Sequence, residues 1–206
     1  MLRTVEVRWF FPGDIPILVQ DWFTAAAPSA AGEAPRDDYY LNIEDQNGLG
    51  IKIREGRLEV KERQFSLGIH RFHKAVIGRM DSWAKWGINL KISSSKPPNQ
   101  AANIWVPVTK ERQMNSYILT EGKWRSRGGK LGIKEQGCEI ELSRVIISSR
   151  IWWTFAFEAP GIPDQGRKLL LSASEQFFAK HDPPPFFLED SYSYPRWIGR
   201  EIWIGS

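Results

Sequence analysis

The sequence has one cysteine, three histidines and three methionines in 206 residues. A single thiol, Cys138, excludes an internal disulfide framework and suits a reducing compartment. Its neighbour Glu139 disfavours a thiolate nucleophile, so Cys138 reads as a buried strand residue. His70 and His73 lie three apart, but Arg71 and Lys74 beside them discourage a metal, and they read as solvated loop histidines. No stretch approaches the ~20 apolar residues that span a bilayer. The N-terminus carries charges at Arg3, Glu6 and Arg8 and lacks the apolar h-region of a signal peptide. The expectation is a soluble, cytoplasmic chain with no membrane partner. No Walker-type loop or G-x-G-x-x-G occurs. Arg127-Gly-Gly-Lys-Leu-Gly132 is glycine-rich but has no strand-to-helix context to make it a phosphate cradle.

Aromatic residues are abundant: ten Trp, eleven Phe and five Tyr. These residues fit a pleated, half-buried surface. Alternation recurs along the chain. Thr4 to Phe10 alternates until Pro12-Gly13. Tyr39 to Ile43 is a short strand broken at Asn47-Gly48. Leu49 to Arg54 turns at Glu55-Gly56 into Arg57 to Arg63, the clearest hairpin in the chain. Further strands are expected at Phe72–Arg79, Gly87–Ile92, Ile104–Arg112, Gly137–Ser148 and Trp152–Ala159, two of them separated by Pro97-Pro98.

Helices are expected over Ile15 to Ala27, with Asp14 as cap and Ile17, Leu18, Trp22 and Phe23 as apolar stripe, and over Leu170 to Lys180. Pro28 to Pro35 reads as a loop. Trp83 and Trp86 would share a face if Asp81 to Trp86 were helical, and core packing is the better reading of them. Residues 183–206 form an aromatic tail with Trp197 and Trp203, expected to pack on the body because exposed it would be sticky. The fold expectation is one mainly β (α+β) domain over residues 1–206. It is a closed or nearly closed antiparallel β-barrel of about eight strands with two or three flanking helices.

Charged residues in the strands obey a parity. Side chains at i and i+2 share a face, which pairs Glu6 with Arg8, Lys52 with Arg54, Glu59 with Lys61 and Arg63, Lys110 with Arg112, and Glu139 with Glu141. A sheet with one wet face shows such alternation. Here, however, few helices exist to cover the large apolar faces opposite. The charged face also segregates sign, cationic on the middle strands and acidic on the first and last. A sign-segregated face suits a polyanion held by Lys and Arg, with carboxylates gripping a divalent cation at one side.

The order of these motifs resembles the CYTH-like superfamily, the triphosphate tunnel metalloenzymes. The counterparts are Thr4-Val-Glu6-Val-Arg8, Ile51-Lys-Ile-Arg54, Leu58-Glu-Val-Lys61, Lys110-Glu-Arg112, Glu139-Ile-Glu141 and Phe155-Ala-Phe-Glu158, spanning most of residues 4 to 158. The resemblance implies a barrel binding a triphosphate or similar phosphorylated small-molecule anion in its lumen. Arg8, Lys52, Arg54, Lys61, Lys110 and Arg112 would hold phosphates. Glu6, Glu139, Glu141 and Glu158 would hold Mg or Mn, and the reaction would be hydrolysis of a terminal phosphate. Two departures weaken the catalytic half. Thr4 replaces the first glutamate of the opening motif, whose lysine is Arg8, and Ala156 replaces a late acid. Arginine grips phosphate but is not available as a base.

Two other readings stay open. The basic segment Lys123 to Lys134, with Trp105 and Trp124 as stacking surfaces, would make a non-enzymatic nucleic-acid binder. A lipocalin-like barrel would hold an apolar ligand, with the charges pointing outward. The position of Lys52, Arg54 and Arg112, inside or outside the barrel, separates the last reading from the first.

Overall fold

The computed structural model describes residues 1–43, 47–90, 104–132, 134–179 and 181–203. Pro97-Pro98, Lys91, Ile92, Lys180, Ile204 and the Trp203 side chain lie outside the described residues. The elements are β1 (Leu2–Pro12), α1 (Ile17–Ala26), β2 (Ala31–Leu41), β3 (Leu49–Arg54), β4 (Arg57–His73) and β5 (Val76–Asn89). They continue as β6 (Trp105–Thr120), β7 (Lys123–Gly128), β8 (Gly137–Ile147), β9 (Arg150–Pro160), α2 (Pro163–Phe178) and α3 (Tyr194–Trp203).

The strands hydrogen-bond in the order β2-β3-β4-β5-β1-β9-β8-β6, and β6 pairs back to β2, so eight antiparallel strands close a barrel. Strand β6 is long enough for two partners on one side. Its first part joins β2 and its last six residues join the extra strand β7. The Glu55-Gly56 turn joining β3 to β4 has both residues at positive φ, 49° and 72°, matching a two-residue hairpin turn whose twist suits the strands. None of the described helices is long and apolar enough to cross a membrane.

The main core lies outside the barrel. Val5, Val7 and Trp9 of β1, Ile140 and Leu142 of β8, and Phe155 and Phe157 of β9 point away from the lumen. They pack under Trp22 and Phe23 of α1 and Leu170, Phe177 and Phe178 of α2. Gly166 lets α2 settle onto the sheet, since a Cβ there would stand 2.7 Å from Val5 Cγ2. The indole N–H of Trp9 donates to the Ile77 carbonyl at 2.9 Å, so this large side chain is buried without an orphaned donor.

A second cluster closes one end of the barrel. Phe10, Tyr40, Val108, Val145 and Ile147 occupy lumen-facing positions at the ends of β1, β2, β6 and β8, and Tyr194, Trp197 and Ile198 of α3 pack into them. The aromatic tail is therefore a plug. Phe10 and Trp197 stack at 4.5 Å between centroids, and Phe10 meets Tyr194 edge-on at 5.0 Å.

Several expectations are corrected. Residues 31–35 are strand, because β6 offers Ala31 to Glu33 a full register of partners; Pro35 sits at the irregularity between Glu33 and Arg36, where no ladder donor is needed. The strand expected at Phe72–Arg79 is interrupted by a turn at Lys74-Ala75, and the expected gaps on either side of it are strand: β4 runs to His73 and β5 begins at Val76. Bulges at Arg63/Phe65, Ser66/Gly68 and Arg71/His73 shift the parity and hide the alternation. His70 and His73 are thus strand residues. Asp81 to Trp86 is strand, which puts Trp83 and Trp86 on opposite faces.

The basic segment begins as β7 rather than as a loop. Asp14 does not cap α1; it pairs with Arg144, and the helix opens from Pro16 with no side-chain cap. Ile17 and Leu18 are exposed, leaving Val19, Trp22, Phe23 and Ala26 as the buried stripe. Helix α2 begins at Pro163, a residue tolerated in a first turn because its missing N–H has no intrahelical partner to lose.

Candidate functional site

A cavity of about 390 Å³ is lined by side chains from all eight barrel strands and from α3, which identifies it as the lumen. Its mouth is at the start of β1, near Leu2 and the β3–β4 turn, and its floor is the α3 plug. The register levels the charged residues across strands. Glu6 of β1 faces Glu158 of β9, and Glu158 faces Glu139 of β8, forming a row of three carboxylates near the mouth. One step deeper, Arg8 and Glu141 flank Ala156, whose small side chain leaves room for the two to meet. All six expected phosphate-binding residues, Arg8, Lys52, Arg54, Lys61, Lys110 and Arg112, line this cavity. So do Glu6, Glu139, Glu141 and Glu158.

The structure adds residues that strand parity alone did not reveal. Arg36 and Asp38 lie in the stretch around β2 whose proximal half was read as loop. Lys85 belongs to the part of β5 to which no strand was assigned. Tyr194 comes from the tail. Arg57 and Lys130 lie at the rim.

The ionic arrangement is a shared one. Asp38 accepts from Lys52 at 2.9 Å, meets Lys110 at 3.1 Å and Arg36 at 3.4 Å. Glu6 binds Arg8 at 3.0 Å and also Lys61. Glu141 binds Arg8 at 2.7 Å and Arg112 at 3.3 Å. Glu59 serves Lys52 at 3.4 Å and Arg54, and Glu33 serves Arg112 and Lys130. Signs are therefore interleaved, not segregated as the sequence suggested. Cations still outnumber acids, ten against five among the described lining residues.

Burial and neighbouring charge oppose each other on these groups. Burial opposes ionisation of Asp38, yet Lys110, Lys52 and Arg36 hold its carboxyl well below the usual range. Glu141 is likewise held low against burial by Arg8 and Arg112, and Glu6 by Lys61, Arg8 and Lys85. Among the cations, burial pushes Lys52, Lys61 and Lys110 down, and the nearby carboxylates do not fully restore them. In Lys85, Arg8 and Arg112 the neighbouring carboxylates outweigh burial and hold the positive charge in place.

Glu139 differs from the other acids. Burial, and next the Glu158 carboxylate, push it up to about 7, opposed by the Leu131 N–H that donates to it at 2.9 Å.

The four glutamates do not make a divalent-cation site as arranged. Glu6 and Glu141 each bind two cationic side chains, Glu158 binds Lys85, and Glu139 carries its proton up to neutral pH. A hard cation needs several free carboxylate oxygens at one point, and among the described residues no group of three or more potential ligands converges.

The competing features also have positions. Lys52, Arg54 and Arg112 point inward, so the premise of an apolar lumen fails. Trp124 is half-buried against the outer core and its indole N–H donates to Ser172 at 3.1 Å. Arg127 of the basic segment is clamped by Glu135 at 2.8 Å. No protein-family model matches the chain, and no curated protein matches it.

Proposed function

We propose that this protein binds a compact phosphorylated polyanion, of the triphosphate class, inside the barrel, as a divergent relative of the triphosphate tunnel enzymes. The observation that carries this reading is the sharing of carboxylates. Three cations converge on Asp38, two on Glu6 and two on Glu141, in a half-enclosed chamber. Buried cations cost several kcal/mol each to desolvate, and one carboxylate offsets that for two or three of them only in part. An oligophosphate brings the missing negative charge and several acceptor oxygens. Arg8, Arg112 and Arg36 can offer forked donors to them, while Lys52, Lys61 and Lys110 act as compact point charges. The buried Nε of Arg112 has no hydrogen-bond partner among the described residues and is one donor such a ligand would satisfy.

The proposal is of binding. Hydrolysis assisted by Mg or Mn would require the Glu6 to Glu158 row to release its cations first.

Thermal melting with tripolyphosphate, with and without Mg or Mn, tests the reading. Ligand at 100 times its dissociation constant should add about 2.7 kcal/mol of stability. The expected shift appears without metal and weakens with salt, as for any charge-driven association. Phosphate release from the same samples would add a working hydrolase to the reading. No shift under any condition would sink it, and a shift with oligonucleotides alone would favour the nucleic-acid alternative.

A further inference from the structure

The α3 plug sets Tyr194 in the wall of the chamber. Tyr194 is buried, lines the cavity floor, and its hydroxyl has no hydrogen-bond partner among the described residues. A buried hydroxyl without a partner costs stability, typically about 1–3 kcal/mol. Its placement is nevertheless closely defined. The ring is stacked on Tyr40 at 5.7 Å, met edge-on by Phe10, and capped by the Lys110 ammonium 3.7 Å from its centroid. The Arg8 guanidinium carbon lies 4.9 Å from the same centroid. Next to it, Lys110 Nζ donates to the Tyr40 hydroxyl at 2.6 Å. Burial raises the Tyr194 phenol well above its usual value, so it keeps its proton and remains a donor.

We infer that Tyr194 is a ligand-binding residue whose hydroxyl donates to the terminal phosphoryl group of a linear oligophosphate, which enters the one-mouthed chamber end-first. The inference rests on the polyanion reading above. It deepens that reading by naming the substrate class, a phosphate chain with a free terminal group, and the residue that receives it. Two features make the floor suited to a chain end. The plug closes the far exit, so a chain cannot thread through. A terminal phosphoryl group also offers one more unesterified oxygen than an internal one, matching the extra donor at the floor.

Tyr194→Phe keeps the ring, its stacking and its cation contacts, and removes only the donor. Wild type and Tyr194→Phe are compared by calorimetric titration with linear tripolyphosphate and with cyclic trimetaphosphate, and by melting without ligand. Tyr192→Phe, at the surface where that hydroxyl meets Arg200, serves as control. The expected result has three parts. Tyr194→Phe binds tripolyphosphate at least about 10-fold more weakly, the effect of losing a hydrogen bond to a charged acceptor. It melts no lower than wild type without ligand. Wild type prefers the linear over the cyclic phosphate, and this preference shrinks in the variant.

If Tyr194→Phe binds the linear phosphate as tightly as wild type does, Tyr194 is not a ligand residue and the polyanion reading stands without it. A lower melting temperature without ligand, with equal losses for both phosphates, assigns Tyr194 a structural role and overturns the inference. If wild type binds neither phosphate, both proposals fall.

Discussion

The two faces of β1 are equally hidden from solvent and are stabilised in opposite ways. Val5, Val7 and Trp9 face outward into a dry core under α1 and α2; Glu6 and Arg8 face inward, with at most 5% of their surface exposed. On the outer face burial is itself the driving force, at about 25 cal/mol per Å² of apolar area. On the inner face burial is a cost, offset only where opposite charges meet with good geometry. The outer face is compensated to completion. The inner one is left short of negative charge and holds orphaned donors. If the chamber takes up a polyanion as proposed, folding and binding fall to opposite sides of the same strands.

The largest way to break this comparison is on the outer face. Phe155 is fully buried among aromatic rings of α1, α2 and β9. Phe155→Ala should cost about 4–5 kcal/mol, the upper part of the range for aromatic truncations in a core. Tripolyphosphate affinity, measured by titration at a temperature where the variant stays folded, should be nearly unchanged. A large loss of affinity at intact fold would show that the two faces are not independent.

Asp38→Asn comes next. It leaves Lys52, Lys110 and Arg36 without their common carboxylate and should destabilise by about 3 kcal/mol, the lower end for breaking a buried pair, since Lys52 keeps Glu59 and Arg36 keeps Glu33. Tripolyphosphate should then raise the melting temperature of the variant more than that of wild type, because the ligand replaces the missing charge. An equal or smaller shift would mean that the chamber is not short of anions.

The smallest effect is confined by pH. Glu139 is raised in the folded state from its ordinary 4.5 to about 7. Below about pH 4 the side chain is protonated both folded and unfolded, and contributes nothing. Between 4.5 and 7 the unfolded chain gives up its proton first, so stability falls with rising pH, by at most about 3 kcal/mol once both forms are ionised. Glu139→Gln removes that dependence and can still accept from Leu131. Chemical denaturation from pH 4 to 9 should give curves that meet at the acid end, separate between pH 4.5 and 7 and keep a constant gap above neutrality, with the variant the more stable. Parallel curves would place the Glu139 carboxyl outside the buried row.

The strands whose alternation is uninterrupted were legible. Thr4 to Phe10, Leu49 to Arg63, Ile104 to Arg112, Gly137 to Ser148 and Trp152 to Ala159 show their faces in the residue types, and through them the charged set Glu6, Arg8, Lys52, Arg54, Lys61, Lys110, Arg112, Glu139, Glu141 and Glu158. Legibility failed where the period did. Three bulges in β4 scrambled residues 63 to 73, Pro35 and small residues disguised the start of β2, and Lys85 lay in a stretch to which no strand was assigned. Arg36 and Asp38 were missed because they fall between the expected loop, which ends at Pro35, and the expected strand, which begins at Tyr39, and a residue outside any element has no face.

What the sequence determined by itself is which side chains share a face, because a strand's period of two is a local property of its backbone. Whether that face looks into a chamber or into water depends on strand closure, which β2 and β6 settle by pairing residues 64 to 83 positions apart. The floor of the chamber is equally non-local. Tyr194 is an ordinary tail residue until α3 folds back against Phe10, and only the packing of distant apolar groups, which no local pattern encodes, sets its hydroxyl among the cations.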